Sequence, residues 1–510
     1  MAEICLQKKA EMKEQRRLKP LMLVGTGSDV GKSVLATGLC RVLLQDGYAP
    51  APFKAQNMAL NSYVTPEGLE IGRAQATQAE AAGIPCHTDM NPVLLKPSSD
   101  HSSQVVLNGR VIGNRDAYEY FRREGREELR TEVHKAFDRL SSRYHPIVLE
   151  GAGSVSELNL KDSDIVNMPM AMYADARVIL VGDIDRGGVF ASVYGSIMLM
   201  SPEERKHVCG IIINKFRGDL RLFDEGRRIL EELCSVPVLG VVPYYRDIHI
   251  EGEDSVALAA KNEASAKGKV NVAVVMLRYL SNYTDFDVLE RDERVHLYYT
   301  NDSEELQHAD IIIVPGSKST LADLRELRRN GAAQAIIRAH TTGTTVFGIC
   351  GGFQIMGGEI SDPQHIEGDI ERLPGLGLLP VTTVLTEAKV TRRTAFCFLD
   401  REEECTGYEI HMGRTLPVEG AVASPLNRLT DGTTDGYFAD RSCMGTYLHG
   451  ILDNATVVDY LLAPFVDKSP CQGSFDYARY REEQYNKLAD HLRKHIDIGR
   501  IYKLMEDTEA

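Results

Sequence analysis

The stretch LMLVGTGSDVGKSVLATGLCRVLL, at residues 21–44, determines how the first half of the chain should fold. Its opening residues, LMLVG, are typical of a buried strand, and the apolar positions after Ser33 are typical of a helix. The loop between them carries Gly25, Thr26, Gly27, Gly31, Lys32 and Ser33. Small residues before a helix N-terminus let backbone N–H groups converge on phosphate oxygens, so the stretch predicts a phosphate site on a strand–loop–helix unit.

Two side chains of this loop have expected roles. Lys32 should reach the terminal phosphates of ATP, and the Ser33 hydroxyl should hold Mg²⁺. The strict pattern G-x-x-x-x-G-K-[ST] is not met, because Thr26 occupies the place of its first glycine. The strand–loop–helix context still favours a nucleotide site over an ordinary glycine-rich turn.

Short apolar runs alternate with longer amphipathic stretches along the whole chain. The runs lie at residues 21–25, 147–150, 178–182, 210–214, 272–276, 311–315 and 345–349. Continuous apolar strands separated by helices are typical of parallel sheets that are covered on both faces. A length of 510 residues is too great for one compact core. The sequence therefore predicts an α/β protein with two doubly wound, mostly parallel-sheet domains.

The low-complexity segment ALAAKNEASAKGK, at residues 257–269, is predicted to be a linker between these domains. The domains are then expected at residues 21–256 and 270–473. Residues 1–20 form a charged N-terminal extension, and residues 474–510 are expected to form a polar helical extension.

The composition excludes several classes of function. A net charge of −15, from 58 Lys and Arg against 73 Asp and Glu, works against nucleic-acid binding. The 10 cysteines include no C-x-x-C pair, which argues against a zinc ribbon or disulfide framework and fits a reducing cytoplasm. The sequence has no apolar run of about 18 residues and no apolar signal core near its start, so neither a membrane span nor secretion is expected.

Carboxylates follow two predicted strands of the first half. Glu150 ends one apolar run, and Asp183 and Asp185 follow another. Ligands of doubly wound folds collect at this carboxyl edge of the sheet. Glu150 is therefore a candidate Mg²⁺ ligand, and the two aspartates are candidates for a metal or substrate role.

In the second half, the apolar run at residues 345–349 leads into Cys350, Gly351 and Gly352. Glycines beside a cysteine at a strand end permit a sharp turn that presents the thiol above the sheet, near a helix N-terminus that favours the thiolate. This pattern favours a nucleophile over a buried structural cysteine. The N–H of Gly351 and the turn at Gly316 are the expected donors of an oxyanion hole.

A thiol nucleophile needs a base nearby. His449, in the segment GTYLHG, fits best, because this short predicted strand would end beside the thiol. His411, in GYEIHMG, is the rival candidate.

The loop pattern G-T-x-x-x-V-G-K-S resembles the dethiobiotin synthetase family, ATP-dependent enzymes that phosphorylate a carboxylate so that nitrogen can attack it. The resemblance implies that Lys54, in PFKAQN, is a second lysine near the transferred phosphate. It also implies that Asn214 contacts the adenine ring.

The segments FGICGGFQ and GTYLHG resemble the class I glutamine amidotransferase family, which hydrolyses glutamine through a thioester and releases ammonia. That family usually carries His-x-Glu, but here Ile451 stands two residues after His449. Either a backbone carbonyl or another side chain orients His449, or a Cys–His dyad acts with low activity until the other site is loaded.

Blocks from both halves resemble the cobyric acid synthase family. They are PFKAQNMALNSYVTPEGLEIGRAQATQAEAAGIP, DMNPVLLKPSSD, GDIDRGGVFAS, VPGSKSTLADL and GYEIHMGRT. The resemblance implies ATP- and glutamine-dependent amidation of the b, d, e and g carboxylates of a corrinoid, adenosylcobyrinic acid a,c-diamide, in cobalamin biosynthesis. It places Gln56, Asn57, Asn61 and Ser62 on the wall that faces the corrinoid.

Two alternatives stay open at this point. The cobyrinic acid a,c-diamide synthase family has a similar architecture and amidates two other carboxylates. A P-loop regulatory ATPase with an inactive glutaminase-like module would explain the missing glutamate, but it leaves the Cys350 and His449 pair without a role.

Overall fold

The computed structural model describes residues 18–97, 102–116, 126–251, 262–468 and 473–506. The strands of the first half are β1 (Leu21–Gly25), β2 (Ala51–Phe53), β3 (Gln56–Met58), β4 (Ser62–Val64), β5 (Glu70–Gly72), β6 (Val93–Pro97), β7 (Ser102–Leu107), β8 (Arg110–Asp116), β9 (Ile147–Glu150), β10 (Arg177–Asp183), β11 (Val208–Phe216) and β12 (Val238–Pro243). Its helices are α1 (Lys32–Gln45), α2 (Arg73–Ala81), α3 (Arg126–Ser141), α4 (Met168–Tyr173), α5 (Val189–Leu199), α6 (Pro202–His207) and α7 (Asp224–Cys234).

The central sheet of the first half has the strand order β12-β11-β10-β1-β9-β2, and every neighbouring pair is parallel. Alternate residues of β1 enter different cores, Met22 and Val24 on one face and Leu21 and Leu23 on the other. This confirms the predicted parallel sheet with both faces covered. Because β9, β1 and β10 are neighbours, the segments that follow them meet at one edge of the sheet.

The segment between β2 and β9 contains a small sheet that was not predicted from the sequence. Strands β3, β6, β7 and β8 form a four-stranded sheet, and β4 and β5 form an antiparallel pair. Strands β3 to β5 have three residues each, too short to give a periodic pattern. This small sheet brings Lys96 and Gln104 towards the second half.

The strands of the second half are β13 (Val270–Val275), β14 (Val295–Thr300), β15 (Ile311–Val314), β16 (Thr345–Ile349), β17 (Glu359–Ser361), β18 (Arg372–Pro374), β19 (Val381–Phe398), β20 (Glu404–Pro417), β21 (Asn427–Leu429), β22 (Thr434–Asp435), β23 (Tyr437–Asp440) and β24 (Cys443–Thr446). Its helices are α8 (Asp287–Arg291), α9 (Ser303–Gln307), α10 (Thr320–Asn330), α11 (Ala332–Thr341), α12 (Gly351–Met356) and α13 (Ala455–Leu462).

The main sheet of this half has the order β14-β13-β15-β16-β24-β23 and is parallel except for its edge strand β23. This confirms the second, mostly parallel sheet. Strands β16 and β24 are neighbours, so the chain leaves the sheet at adjacent points towards Cys350 and towards His449.

A further sheet surrounds the antiparallel pair β19 and β20, which have 18 and 14 residues. This sheet was not predicted from the sequence. Much of this pair is half-buried, because it extends beyond the main core. It carries Lys389, His411 and Tyr408 to the boundary between the two halves.

The end of the chain returns to the first half. Helices α14 (Tyr477–His495) and α15 (Ile498–Met505) follow the second half. Leu488 and Leu492 of α14 belong to the core on one face of the first sheet, and they pack at Gly38 of α1. The backbone at Ile496 forms an antiparallel bridge with Gly240 of β12.

Parts of the predicted organisation fall outside the described residues. These are residues 1–17 of the N-terminal extension, residues 98–101, 117–125 and 252–256 of the first domain, residues 257–261 of the linker, residues 469–472 of the second domain and residues 507–510 at the C-terminus. In the ranges that the structure describes, no helix is both long and apolar enough to cross a membrane.

Candidate active sites

The loop after β1 holds Lys32 over the edge of the first sheet. Its Nζ donates to the carbonyl oxygens of Gly27 at 3.0 Å and Gly153 at 2.9 Å. A Cβ atom on Gly25 would lie 2.9 Å from the backbone carbonyl oxygen of Gly27, so the position requires glycine. Gly31 has φ +96° at the start of α1, a left-handed conformation that also favours glycine. The backbone is thus shaped to bring an ammonium and a helix N-terminus together.

Thr26, the departure from the strict loop pattern, fits this geometry. Its N–H donates to the carbonyl of Val181 at 3.0 Å, and its carbonyl accepts from Ser154 Oγ at 3.1 Å. The loop is therefore fixed to both neighbouring strand ends.

Glu150 is the centre of a buried polar cluster at the end of β9. Its Oε1 accepts from Ser33 Oγ at 2.8 Å and from Lys54 Nζ at 3.0 Å. Its Oε2 accepts from Gln78 Nε2 at 2.7 Å. The carboxylate is 2% exposed, so these partners offset the cost of burying its charge. Three predicted residues, Ser33, Lys54 and Glu150, come together here.

Sequence reasoning missed Gln78, which lies on α2. The helix sequence RAQATQAEA is polar, yet eight of its nine residues are buried. A polar helix inside the GRAQATQAEAAG block was the available signal, but nothing in its spacing singled out Gln78.

The two aspartates after β10 have different surroundings. Asp183 is buried, and its Oδ2 lies 3.0 Å from Lys215 Nζ. Asp185 is exposed and forms two hydrogen bonds with Arg217, at 2.7 and 3.1 Å. The hydrogen bond from Arg217 lowers the pKa of Asp185. Within the described ranges, no group of three His, Cys, Asp or Glu side chains is arranged to hold a metal ion by itself.

Asn214 supports the phosphate loop directly. Its Nδ2 donates to the carbonyl of Val30 at 2.8 Å, and a Cβ atom on Gly31 would lie 2.2 Å from the same nitrogen. The side chain therefore packs against the loop, and the adenine contact stays a prediction.

The four residues predicted to face the corrinoid are buried. Asn57 donates to Gln75 Oε1 at 3.1 Å. Asn61 Oδ1 accepts from the N–H of Tyr283 at 3.1 Å, and the N–H of Ser62 donates to Asn282 Oδ1 at 2.9 Å. Asn61 and Ser62 thus join the first half to the second, and their corrinoid contact, like that of Gln56, stays a prediction.

Cys350 lies on a strained turn between β16 and α12, with φ 52° and ψ −109°. Its N–H donates to the carbonyl of Thr446 at 2.8 Å, which ties the turn to β24. A Cβ atom on Gly352 would lie 1.8 Å from the carbonyl oxygen of Val314, so this close approach requires glycine. Strain of this kind at a buried cysteine is typical of a functional position.

His449 is oriented by a carboxylate. Its Nδ1 lies 2.6 Å from Asp285 Oδ2, and the next N–H, of Gly450, donates to Asp285 Oδ1 at 3.1 Å. Burial lowers the pKa of His449, but the Asp285 carboxylate and the Cys350 side chain raise it to about 10. The raised pKa favours the imidazolium form of His449 at neutral pH, between the Asp285 carboxylate and the Cys350 side chain.

Asp285 is the residue that sequence reasoning missed. It lies in the short 3-10 helix Tyr283–Phe286, which follows strand β13 in the chain. It is 164 residues before His449. Ile451, at the family's usual glutamate position, is fully buried in the core. A carboxylate beyond the carboxyl end of β13 was the only available signal.

His411 has other partners. Its Nδ1 lies 2.9 Å from the carbonyl of Gly413, and its ring stacks on Tyr447 with centroids 3.7 Å apart. His449, by contrast, interacts with the Cys350 side chain. The geometry favours His449 as the base.

The predicted oxyanion donors lie beside this pair. A Cβ atom on Gly316 would lie 3.2 Å from His449 Cε1, and one on Gly351 would lie 2.8 Å from the N–H nitrogen of Ser317. The two turns therefore pack together next to Cys350, while their N–H roles stay predictions.

A cavity of about 350 Å³ opens at the thiol. Its walls include Cys350, Gln354 and His449 from the second half and Lys96 and Gln104 from the first. The site of the thiol is thus built by both halves of the chain.

Comparisons with known proteins match both halves. Residues 21–255 match the CobQ/CobB/MinD/ParA nucleotide binding domain, and residues 271–457 match the CobB/CobQ-like glutamine amidotransferase domain. A curated cobyric acid synthase of Bacteroides fragilis is 70% identical over 494 residues, which cover 97% of this chain and 100% of the relative. Those of Phocaeicola vulgatus and Parabacteroides distasonis are 66% and 58% identical, with the same coverage of 97% and 100%.

Proposed function

The chain belongs to the cobyric acid synthase family, and from this premise we propose that it amidates the b, d, e and g carboxylates of adenosylcobyrinic acid a,c-diamide. The enzyme is an amidotransferase that uses glutamine and ATP in cobalamin biosynthesis. The matched relatives do not favour a diamide synthase or a regulatory ATPase. The observation that carries the proposal is the cavity at Cys350, whose walls come from both halves.

The second half supplies nitrogen. Cys350 Sγ attacks the side-chain amide carbon of glutamine, and the tetrahedral oxyanion is held by the N–H groups at Gly351 and Gly316. The imidazolium of His449 gives its proton to the departing nitrogen, so that ammonia leaves and a thioester remains. His449 then takes a proton from water, which attacks the thioester and releases glutamate. Asp285 holds the imidazole in the required orientation through the 2.6 Å contact.

The first half activates the carboxylate. The γ-phosphoryl group of ATP passes to a carboxylate oxygen of the corrinoid, which leaves ADP and an acyl phosphate. Ammonia attacks the acyl carbon, phosphate departs, and the amide remains. Lys32 and Lys54 are placed to balance negative charge on the phosphates.

Ser33 and Glu150 fit a magnesium site. Their side-chain oxygens are 2.8 Å apart, and hydroxyl and carboxylate oxygens are the ligands that Mg²⁺ prefers beside phosphates. When bound, Mg²⁺ would neutralise charge on the phosphate oxygens. Asp183 and Asp185 remain candidates for a metal or substrate role at the same edge.

We place the reaction in the cytoplasm, because a catalytic thiol must stay reduced. The cysteines within the described ranges are all free thiols.

The direct test supplies ATP, Mg²⁺, glutamine and adenosylcobyrinic acid a,c-diamide and follows product masses. Four successive replacements of a carboxyl OH by NH₂ are expected. Cobyrinic acid, offered in parallel, should not be converted to its a,c-diamide. Amidation of cobyrinic acid alone would indicate a diamide synthase and contradict the proposal.

A further inference from the structure

The cavity at the thiol contains more charge than the catalytic triad uses. Lys96, Lys318, Lys389 and Glu367 all line it. Lys96 Nζ lies 2.7 Å from one oxygen of Glu70, and Lys389 pairs with the other oxygen. These two ammonium groups are therefore compensated by a buried carboxylate.

Lys318 instead contacts a neutral partner. Its Nζ donates to Gln104 Oε1, an uncharged partner from the first half, at 3.1 Å. Among the residues that the structure describes, no carboxylate forms an ion pair with it. Burial and the charges of Lys96 and Lys389 lower the pKa of Lys318 to about 7. An anion in the cavity would therefore stabilise its charged form.

Glu367 is the matching negative group. Its Oε2 accepts from the N–H groups of Thr320 and Leu321, at 2.6 and 3.3 Å, at the start of α10. No ammonium or guanidinium pairs with it in the described part of the chain. Burial raises the pKa of Glu367 to about 7, and Lys318 offsets this effect only in part. A cation near this carboxylate would therefore stabilise it.

Glutamine carries one charge of each sign, away from its reacting amide. We propose that Lys318 binds the α-carboxylate of glutamine and that Glu367 binds its α-ammonium group while the amide lies at Cys350. The inference rests on the proposed glutaminase function of Cys350. Because Gln104 holds Lys318, the first half takes part in glutamine binding.

The test compares three amides: glutamine, 4-aminobutanamide, which lacks the α-carboxylate, and glutaramate, which lacks the α-ammonium group. The wild-type protein should prefer glutamine to each analogue in kcat/KM. Lys318→Met should lose the preference over 4-aminobutanamide and keep that over glutaramate. Glu367→Gln should do the reverse. The KM for glutamine should rise roughly 10- to 100-fold in each variant, as expected for a hydrogen bond between charged groups.

Lys135→Met is the matched control, because it removes the charge of a lysine that is exposed on α3 and is not among the residues lining the cavity. It should keep both preferences. Amidation with added ammonia reports correct folding of every variant. Equal losses for all three amides in the Lys318 and Glu367 variants, or no loss, would overturn the inference. A wild-type protein that hydrolyses none of the amides would instead overturn the proposed glutaminase function.

Discussion

At the scale of single residues, the most informative side chain is Asp285. It contacts His449 Nδ1 at 2.6 Å and, together with the Cys350 side chain, raises the pKa of this imidazole to about 10 against the effect of burial. Asp285 therefore takes the place of the carboxylate partner beside the proposed pair Cys350 and His449, although the position two residues after the histidine is Ile451.

We expect Asp285→Asn to lower the glutaminase kcat/KM by roughly 10²- to 10⁴-fold, as loss of the orienting acid does in other triads. Without the carboxylate, the pKa of His449 falls, so the imidazolium is lost at a lower pH. The alkaline limb of the pH profile, expected near pH 10 in the wild type, should move down.

The control for Asp285→Asn is amidation with added ammonia, which should keep its wild-type rate because it bypasses the thiol. An unchanged glutaminase rate and an unchanged alkaline limb would show that Asp285 does not act on His449.

The sequence could predict Cys350 and His449 because each follows a short apolar strand within a recognisable segment. It could not predict their third partner, because Asp285 is 164 residues from His449 along the chain and reaches it only through the order of strands in the sheet. Gln78 was missed for a similar reason, since its contact with Glu150 depends on how α2 packs.

At the scale of elements, the parallel strands were predictable and the antiparallel additions were not. Strands such as β1, β10 and β16 are continuous apolar runs, because both faces of their sheets are covered. The pair β19 and β20 is polar and half-buried, so its pattern resembles a solvent-facing segment. Its register depends on pairing partners that periodicity does not reveal.

Helix α14 is expected to stabilise the first half. Leu492 is fully buried, and its Cδ1 would lie 2.4 Å from a Cβ atom on Gly38 of α1. Leu492→Ala should lower the free energy of unfolding of this half by about 2–5 kcal/mol, the usual cost of a large cavity. Denaturant unfolding of the wild-type and variant proteins would measure this difference in the free energy of unfolding.

Leu222→Ala provides the comparison, because Leu222 is 81% exposed and its loss should change the free energy of unfolding by less than about 0.5 kcal/mol. Equal effects of the two substitutions would mean that α14 is not part of the folded core.

At the scale of the whole molecule, the two halves contact each other beside the cavity at Cys350 and close to Asp285. Asn61 and Ser62 bond to Tyr283 and Asn282, a few residues from Asp285. Lys389 of the second half pairs with Glu70 of the first, beside the cavity at the thiol. The sequence predicted two domains from length and composition, but it could not predict this boundary, because its contacts join residues more than 200 positions apart.

The central claim is that one chain produces ammonia at Cys350 and consumes it at the nucleotide site that contains Lys32. Its most direct test measures corrinoid amidation by Cys350→Ser with glutamine and, separately, with ammonium salt. The account predicts no product with glutamine and near wild-type amidation with ammonium, whereas Lys32→Ala should fail with both nitrogen sources. Glutamine-dependent product from Cys350→Ser, or loss of both activities in that folded variant, would contradict it.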